Sequence, residues 1–248
     1  MQLVIRAQGL VKSFRGTQAV AGVDLAVAPG ERVALLGPNG AGKTTTLLML
    51  LGVISPDCGS VELLGHKLPR ERSEAMEGVG FAAGYLPLPS RLKVHEVLRL
   101  FADLYGVDDV DARIERGLAR FGIDHLAEAK ADDLSSGQRT LIGIVKSVLH
   151  EPQLLVLDEP TASLDPDVAL RVREGLREVS EDDGTALLVT SHDMLEVERL
   201  CDRVVFIAQG KVVADGRVED IIAEHGHESL EQMFLHVAAE HRATERRR

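Results

Sequence analysis

The chain has little cysteine, no apolar run long enough for a membrane, and too few basic residues to balance its acids. Each shortage excludes a class of protein. Cys58 and Cys201 are the only cysteines; lying far apart and outside any CxxC spacing, they suggest neither a disulfide framework nor a zinc site, and they suit a reducing cytoplasm. The most apolar run, Leu47–Ile54, is interrupted by Gly52 and falls far short of the roughly 20 residues of a bilayer span. The segment Met1–Phe14 lacks the long apolar stretch of a signal peptide. Any link to a membrane is therefore expected through another protein. With 28 Lys and Arg against 39 Asp and Glu the net charge is -11, which opposes non-specific binding to phosphate backbones, so no nucleic-acid partner is expected. Internal repeats, low-complexity segments and long coiled-coil heptads are also missing.

What is present is the balance of an ordinary globular protein, 45% hydrophobic and 27% charged over 248 residues, enough for one large α/β domain with an inserted subdomain. Leu3–Phe14 and Val20–Val27 alternate as half-buried strands, and Pro29-Gly30 turns the chain into the apolar run Arg32–Leu36. Further on, the run Leu154–Leu157 reads as a buried parallel strand. It is followed by a helix near Asp167–Val179, a strand Ala186–Thr190, a helix Met194–Leu200 and a strand Val204–Ala208. This order predicts a doubly wound, mostly parallel sheet flanked by helices, preceded by an antiparallel β part.

Between the two β-rich parts the period becomes helical, with apolar residues at Val97, Leu98, Phe101 and Leu104 and then at Ile114, Leu118 and Phe121. The insert runs roughly from Pro87 to Leu134, or to about residue 150 with the next helix, whose stripe is Leu141, Ile144, Val145, Val148 and Leu149. The main domain is expected over residues 1–225, and 226–248 as an amphipathic helix ending in the solvated basic tail Arg246-Arg247-Arg248.

Gly37-Pro38-Asn39-Gly40-Ala41-Gly42-Lys43-Thr44 matches GxxxxGK[ST] between a predicted strand and a predicted helix. Glycines let such a loop wrap a phosphate chain, turning backbone N–H groups and the helix N-terminus toward the anion. Lys43 is expected to reach the β- and γ-phosphates and the Thr44 hydroxyl to bind Mg²⁺, with Thr45 next in the same turn. Asp158 and Glu159 end the buried strand, where open α/β sheets bind ligands. Beside a P-loop, Asp158 is the natural Mg²⁺ ligand and Glu159 the natural group to polarise an attacking water.

Leu134-Ser135-Ser136-Gly137-Gln138 resembles the LSGGQ signature of the ABC ATPase family, with Ser136 in place of the first glycine. The resemblance covers nearly the whole chain. Glu159 through Asp165 looks like the stretch from the catalytic glutamate to the D-loop, and Thr190-Ser191-His192-Asp193 looks like the switch-histidine segment. Phe14 sits where the family stacks an aromatic ring on adenine. The resemblance implies a P-loop NTPase fold of the ABC type, with ATP and Mg²⁺ as ligands and His192 at the γ-phosphate. It also implies that Ser135, Gly137 and Gln138 of one protomer face the ATP held by another. A second nucleotide-binding subunit, expected to be an identical chain, and transmembrane permease subunits are then the partners, at the cytoplasmic face of the membrane. Glu228–Leu235 resembles the closing helix of ATPase subunits from ABC-2 type exporters, so export is the expected direction.

One departure concerns the glutamine that the family keeps near Mg²⁺ and the attacking water: the ungapped register places Gly84 there, and a rival register Leu88. Two other readings remain open here: a soluble ABC ATPase without a membrane partner, and a module that holds ATP but scarcely hydrolyses it. Lys43→Ala is expected largely to abolish ATP binding, because the loop loses its side-chain cation. Equilibrium binding of a fluorescent ATP analogue checks this; near-normal affinity would remove the loop from the site.

Overall fold

The structure, a computed structural model, describes residues 2–83, 88–89, 91–162, 164–224, 226 and 228–245, with side chains as far as residue 239. Gly84 and the Arg246–Arg248 tail lie outside the described residues.

β1 (Ile5–Phe14) and β2 (Thr17–Val27) form a hairpin, and β3 (Arg32–Leu36) leads into α1 (Lys43–Leu50). β4 (Cys58–Leu63), β5 (His66–Leu68) and α2 (Arg72–Glu77) precede β6 (Val79–Ala83). The helical segment then supplies α3 (Val94–Leu104), α4 (Val110–Arg120) and α5 (Ser136–Val148). Strand and helix alternate through β7 (Leu154–Asp158), α6 (Pro166–Asp183), β8 (Ala186–Thr190), α7 (Met194–Leu200) and β9 (Arg203–Ala208). β10 (Lys211–Arg217), α8 (Val218–Glu224) and α9 (Leu230–Glu245) follow.

Among the described residues the strands make two sheets. The first is antiparallel, in the order β2-β1-β4-β5. β2 begins at Thr17, earlier than its apolar pattern suggests, because Arg15 and Gly16 both take left-handed angles and close a two-residue turn. The second sheet runs β10-β9-β3-β8-β7-β6, all parallel except the edge strand β10.

Buried on both faces, the parallel strands divide their side chains by parity. Val33 and Leu35 pack with the antiparallel sheet and with Leu47 and Leu50 of α1. Ala34 and Leu36 belong to the opposite core, with Leu141 and Val145 of α5 and Leu176 of α6. α9 joins that core through Leu230, Met233 and Val237, and its Phe234 ring lies 6.0 Å from that of Phe206 on β9.

The helical segment packs continuously with the main domain. Phe121, after α4, is fully buried, and its ring lies against Gly175 of α6, where a Cβ would come within 2.4 Å of it. Gly175→Val should therefore overpack this junction and lower the unfolding free energy by about 1–3 kcal/mol, measured by denaturant titration. Unchanged stability would mean that the ring has room to move.

Candidate active site

The P-loop leaves β3 and is clamped between two other pieces of backbone. Gly37, at φ 149°, passes so close to β9 that a Cβ would sit 2.0 Å from the Ile207 carbonyl oxygen. Gly42, at φ 105°, would place one 2.5 Å from the carbonyl oxygen of Ala19 on the hairpin. Side chains are excluded at both positions, as close backbone packing requires. The Gly210 N–H donates to the Ala41 carbonyl at 2.9 Å, and the Gly210 carbonyl accepts from the Ala21 N–H at 2.7 Å. Loop, hairpin and β9–β10 turn are thus laced together.

Gly42 is the N-cap of α1 and offers no side-chain acceptor to the helix. The first backbone N–H groups of a helix have no intrahelical partner, so this end fits an anion, as does the positive end of the helix dipole. Asn39, Gly40 and Thr44 are exposed, whereas Gly37, Pro38 and Ala41 are buried and carry the loop. Lys43 Nζ donates to the carbonyls of Gly37 at 2.6 Å and Pro38 at 3.1 Å. Burial pushes the Lys43 ammonium below its ordinary pKa, against the upward pull of Glu159 and Asp158. A cation so desolvated gains from a bound phosphate.

β7 brings Asp158 to its carboxyl end, in register with Thr190 of β8. Thr190, almost wholly buried, donates its hydroxyl to Asp158 Oδ1 at 2.5 Å. The next residue, Glu159, takes a left-handed angle, φ 53°, a conformation that costs an ordinary L-residue about 1–2 kcal/mol. Its N–H is shared between the carbonyl of Thr190 at 3.1 Å and the Thr190 hydroxyl at 3.2 Å. Its carboxylate Oε2 lies 2.6 Å from His192 Nδ1. His192 is exposed, and Asp193 caps α7 behind it, accepting from the N–H groups of Leu195 and Glu196.

The structure thus brings Lys43, Asp158, Glu159 and His192 to one edge of the sheet. Thr44 lies in the first turn of α1 with its side chain open, and Thr45 is half-buried beside it. A hydroxyl and a carboxylate are the hard oxygen donors that suit Mg²⁺. Phe14, at the tip of the hairpin, is 47% exposed rather than packed in the core, and Lys12 Nζ sits 5.8 Å from its ring centre.

Ser135, Gly137 and Gln138 stand apart from this cluster, with no hydrogen bond to the P-loop among the described residues. Ser135 is the N-cap of α5: its Oγ accepts from the Gln138 N–H at 3.2 Å, and Gln138 Oε1 accepts from the Ser135 N–H at 2.9 Å. This capping box leaves the Ser135 hydroxyl proton free to donate outward. Ser136 is the first helical residue and has no positive φ, so a side chain fits there. Asp165 is exposed at the start of α6 and makes no side-chain bond to that helix. Leu88, the rival to Gly84, is half-buried against the helical core.

Thr190 is the participant that motif reading missed. It lies inside the segment marked by His192, but its contacts follow from strand register rather than from spacing.

Comparison with known proteins bears on the family and the fold. The family profile described as ABC transporter matches residues 20–162. The chain is 32% identical over 234 residues to a linearmycin resistance ATP-binding protein of Bacillus subtilis, covering 94% of this chain and 75% of that protein. It is 38% identical over 227 residues to a Nod factor export ATP-binding protein of Burkholderia pseudomallei, covering 90% and 74%. Among solved structures, an ATP-binding subunit of an ABC transporter superposes with a TM-score of 0.86 at 28% identity, covering 94% of this chain and 99% of that one. A component of an ABC transporter complex from Clostridium perfringens gives 0.82 at 27%, covering 91% and 92%. With the family profile spanning more than half of the chain, this protein belongs to the ABC transporter family, as one of its ATP-binding, ATP-hydrolysing subunits.

Proposed function

We propose that the chain powers an ABC-2 type exporter, pairing head-to-tail with a second copy of itself around two ATP molecules and driving transmembrane permease subunits. The observation that carries the site assignment is the meeting of Lys43, Asp158, Glu159 and His192 at the carboxyl ends of parallel strands. Names of two relatives support the direction, one of them concerned with Nod factor export and the other with linearmycin resistance. Among the described residues no helix is long and apolar enough to cross a membrane; in this reading the permease holds the chain at the cytoplasmic face. The ATPase domain covers residues 1–225 with the helical subdomain at about 87–150, and 226–248 forms the C-terminal helix and basic tail.

In this reading Gly37 to Thr45 surround the phosphates, Lys43 neutralises the β- and γ-oxygens, and Thr44 and Asp158 hold Mg²⁺. Bound ATP supplies the phosphoanhydride that is cleaved. Glu159 orients and polarises the attacking water, and His192, bonded to the Glu159 carboxylate, faces the γ-phosphate. Phe14 offers an exposed ring to adenine. Ser135 and Gly137, with Gln138 locking the cap, reach the γ-phosphate of the other protomer, and Asp165 faces the same interface.

Two measurements test this. Glu159→Gln keeps the shape and removes the base, so ATP should bind, resist turnover and accumulate a closed dimer on size-exclusion chromatography. A variant monomeric at every concentration would rule out a self-sufficient ATP sandwich. The wild-type chain, isolated from membranes, is expected to bring an integral-membrane subunit with it; reproducible isolation alone would favour a soluble ATPase.

A further inference from the structure

Thr190 occupies an unusual place among the residues of this site. It is a buried hydroxyl at the end of β8, 2% exposed, and it touches both acidic residues of the adjacent strand end. Its hydroxyl proton goes to Asp158 Oδ1 at 2.5 Å. A lone pair of the same oxygen accepts the Glu159 N–H at 3.2 Å, and the Thr190 carbonyl accepts that N–H again at 3.1 Å. A hydroxyl has one proton and two acceptor positions, so donating to Asp158 and accepting from Glu159 fixes its rotor.

The position allows little else. Register sets Thr190 beside Asp158 on one side and Leu35 of β3, just before the P-loop, on the other. Two residues later the chain delivers His192 to the Glu159 carboxylate. One oxygen therefore relates the metal-side carboxylate, the backbone of the strained glutamate and the strand that carries the histidine.

We propose that Thr190 is a positioning residue of the ATPase site, its hydroxyl holding the Asp158 carboxylate in the orientation that Mg²⁺ needs while anchoring the left-handed backbone of Glu159. The inference rests on the assignment of Asp158 to the metal. Removing the hydroxyl takes from the Asp158 carboxylate the bond that fixes Oδ1 against β8. Glu159 keeps its bond to the Thr190 carbonyl, so its N–H is not orphaned and the fold is expected to survive. The deficit should fall on metal-dependent binding and on turnover, not on metal-free nucleotide binding.

The test compares Thr190→Val, which keeps the branched shape, with Thr190→Ser, which keeps the hydroxyl. Binding of a fluorescent ATP analogue is followed while Mg²⁺ is titrated, and again in EDTA; kcat is measured alongside. In Thr190→Val the Mg²⁺ midpoint should rise at least fivefold and kcat fall at least tenfold, with EDTA affinity within twofold of wild type. Thr190→Ser should restore both. A wild-type midpoint in Thr190→Val, or an equal defect in Thr190→Ser, would overturn the proposal, the latter because shape rather than the hydroxyl would then matter. Thermal unfolding monitors the fold, and if Thr190→Val does not fold, Thr190→Cys, similar in size but a weak donor, is judged by the same criteria. Failure of the site assignment looks different: Lys43→Ala would then keep its ATP affinity, whatever Thr190 does.

Discussion

The parallel pairing of β8 between β3 and β7 is the constraint on which the site depends. Thr190 is in register with both Leu35 and Asp158, so three strands end at nearly the same level. The loops that leave them carry Lys43, Glu159 and His192. None of these residues is near another in sequence; they share a crevice because parallel strands deliver their carboxyl ends to one edge. A slip of one residue in β8 would turn the Thr190 hydroxyl to the opposite face and lose the bond to Asp158.

That edge concentrates features that are unfavourable for folding alone. Lys43 is held in a partly desolvated place that depresses its pKa, Glu159 is in a left-handed conformation, and the P-loop runs so close to its neighbours that two positions admit only glycine. Such costs persist where surrounding structure over-determines them, and they gather at functional sites. The surroundings here are well suited to the task. The β3, β7 and β8 interiors are fully buried between two apolar layers, and a polyanion at the loop would relieve the desolvated cation directly.

The parallel core was legible in the sequence because its strands are buried on both faces and read as unbroken apolar runs. β8 and α7 begin and end where the pattern placed them. β10 carries no such mark: Ala214 is its one buried residue, and Asp215 and Gly216 are poor strand formers that pairing with β9 nonetheless holds extended. β5 is three residues long, too short for any period. The chemical motifs were legible because backbone geometry demands particular residues there, glycine at Gly37 and Gly42 above all. The role of Thr190 was not, since a Thr near the end of an apolar strand looks like ordinary β-branched packing until register sets it beside two acids. Phe14 ends a strand, where an aromatic residue can equally pack inward, and its exposure leaves the ring open.

The helices behind the loops are tied to one another as well. Arg173 of α6 and Glu196 of α7 form an ion pair with both side chains largely buried. α6 starts at Asp165's helix cap and α7 just after His192. Removing one partner from a buried pair strands a charge and typically costs about 3–5 kcal/mol, so the pair ties α6 to α7 at this point. α9 adds a second hold, its Leu230 N–H donating to Glu198 of α7 at 3.3 Å, while Leu230 and Met233 sit in the common core. The starts of α6 and α7, one carrying Asp165 and the other following the histidine, thus belong to helices joined by a largely buried charge pair.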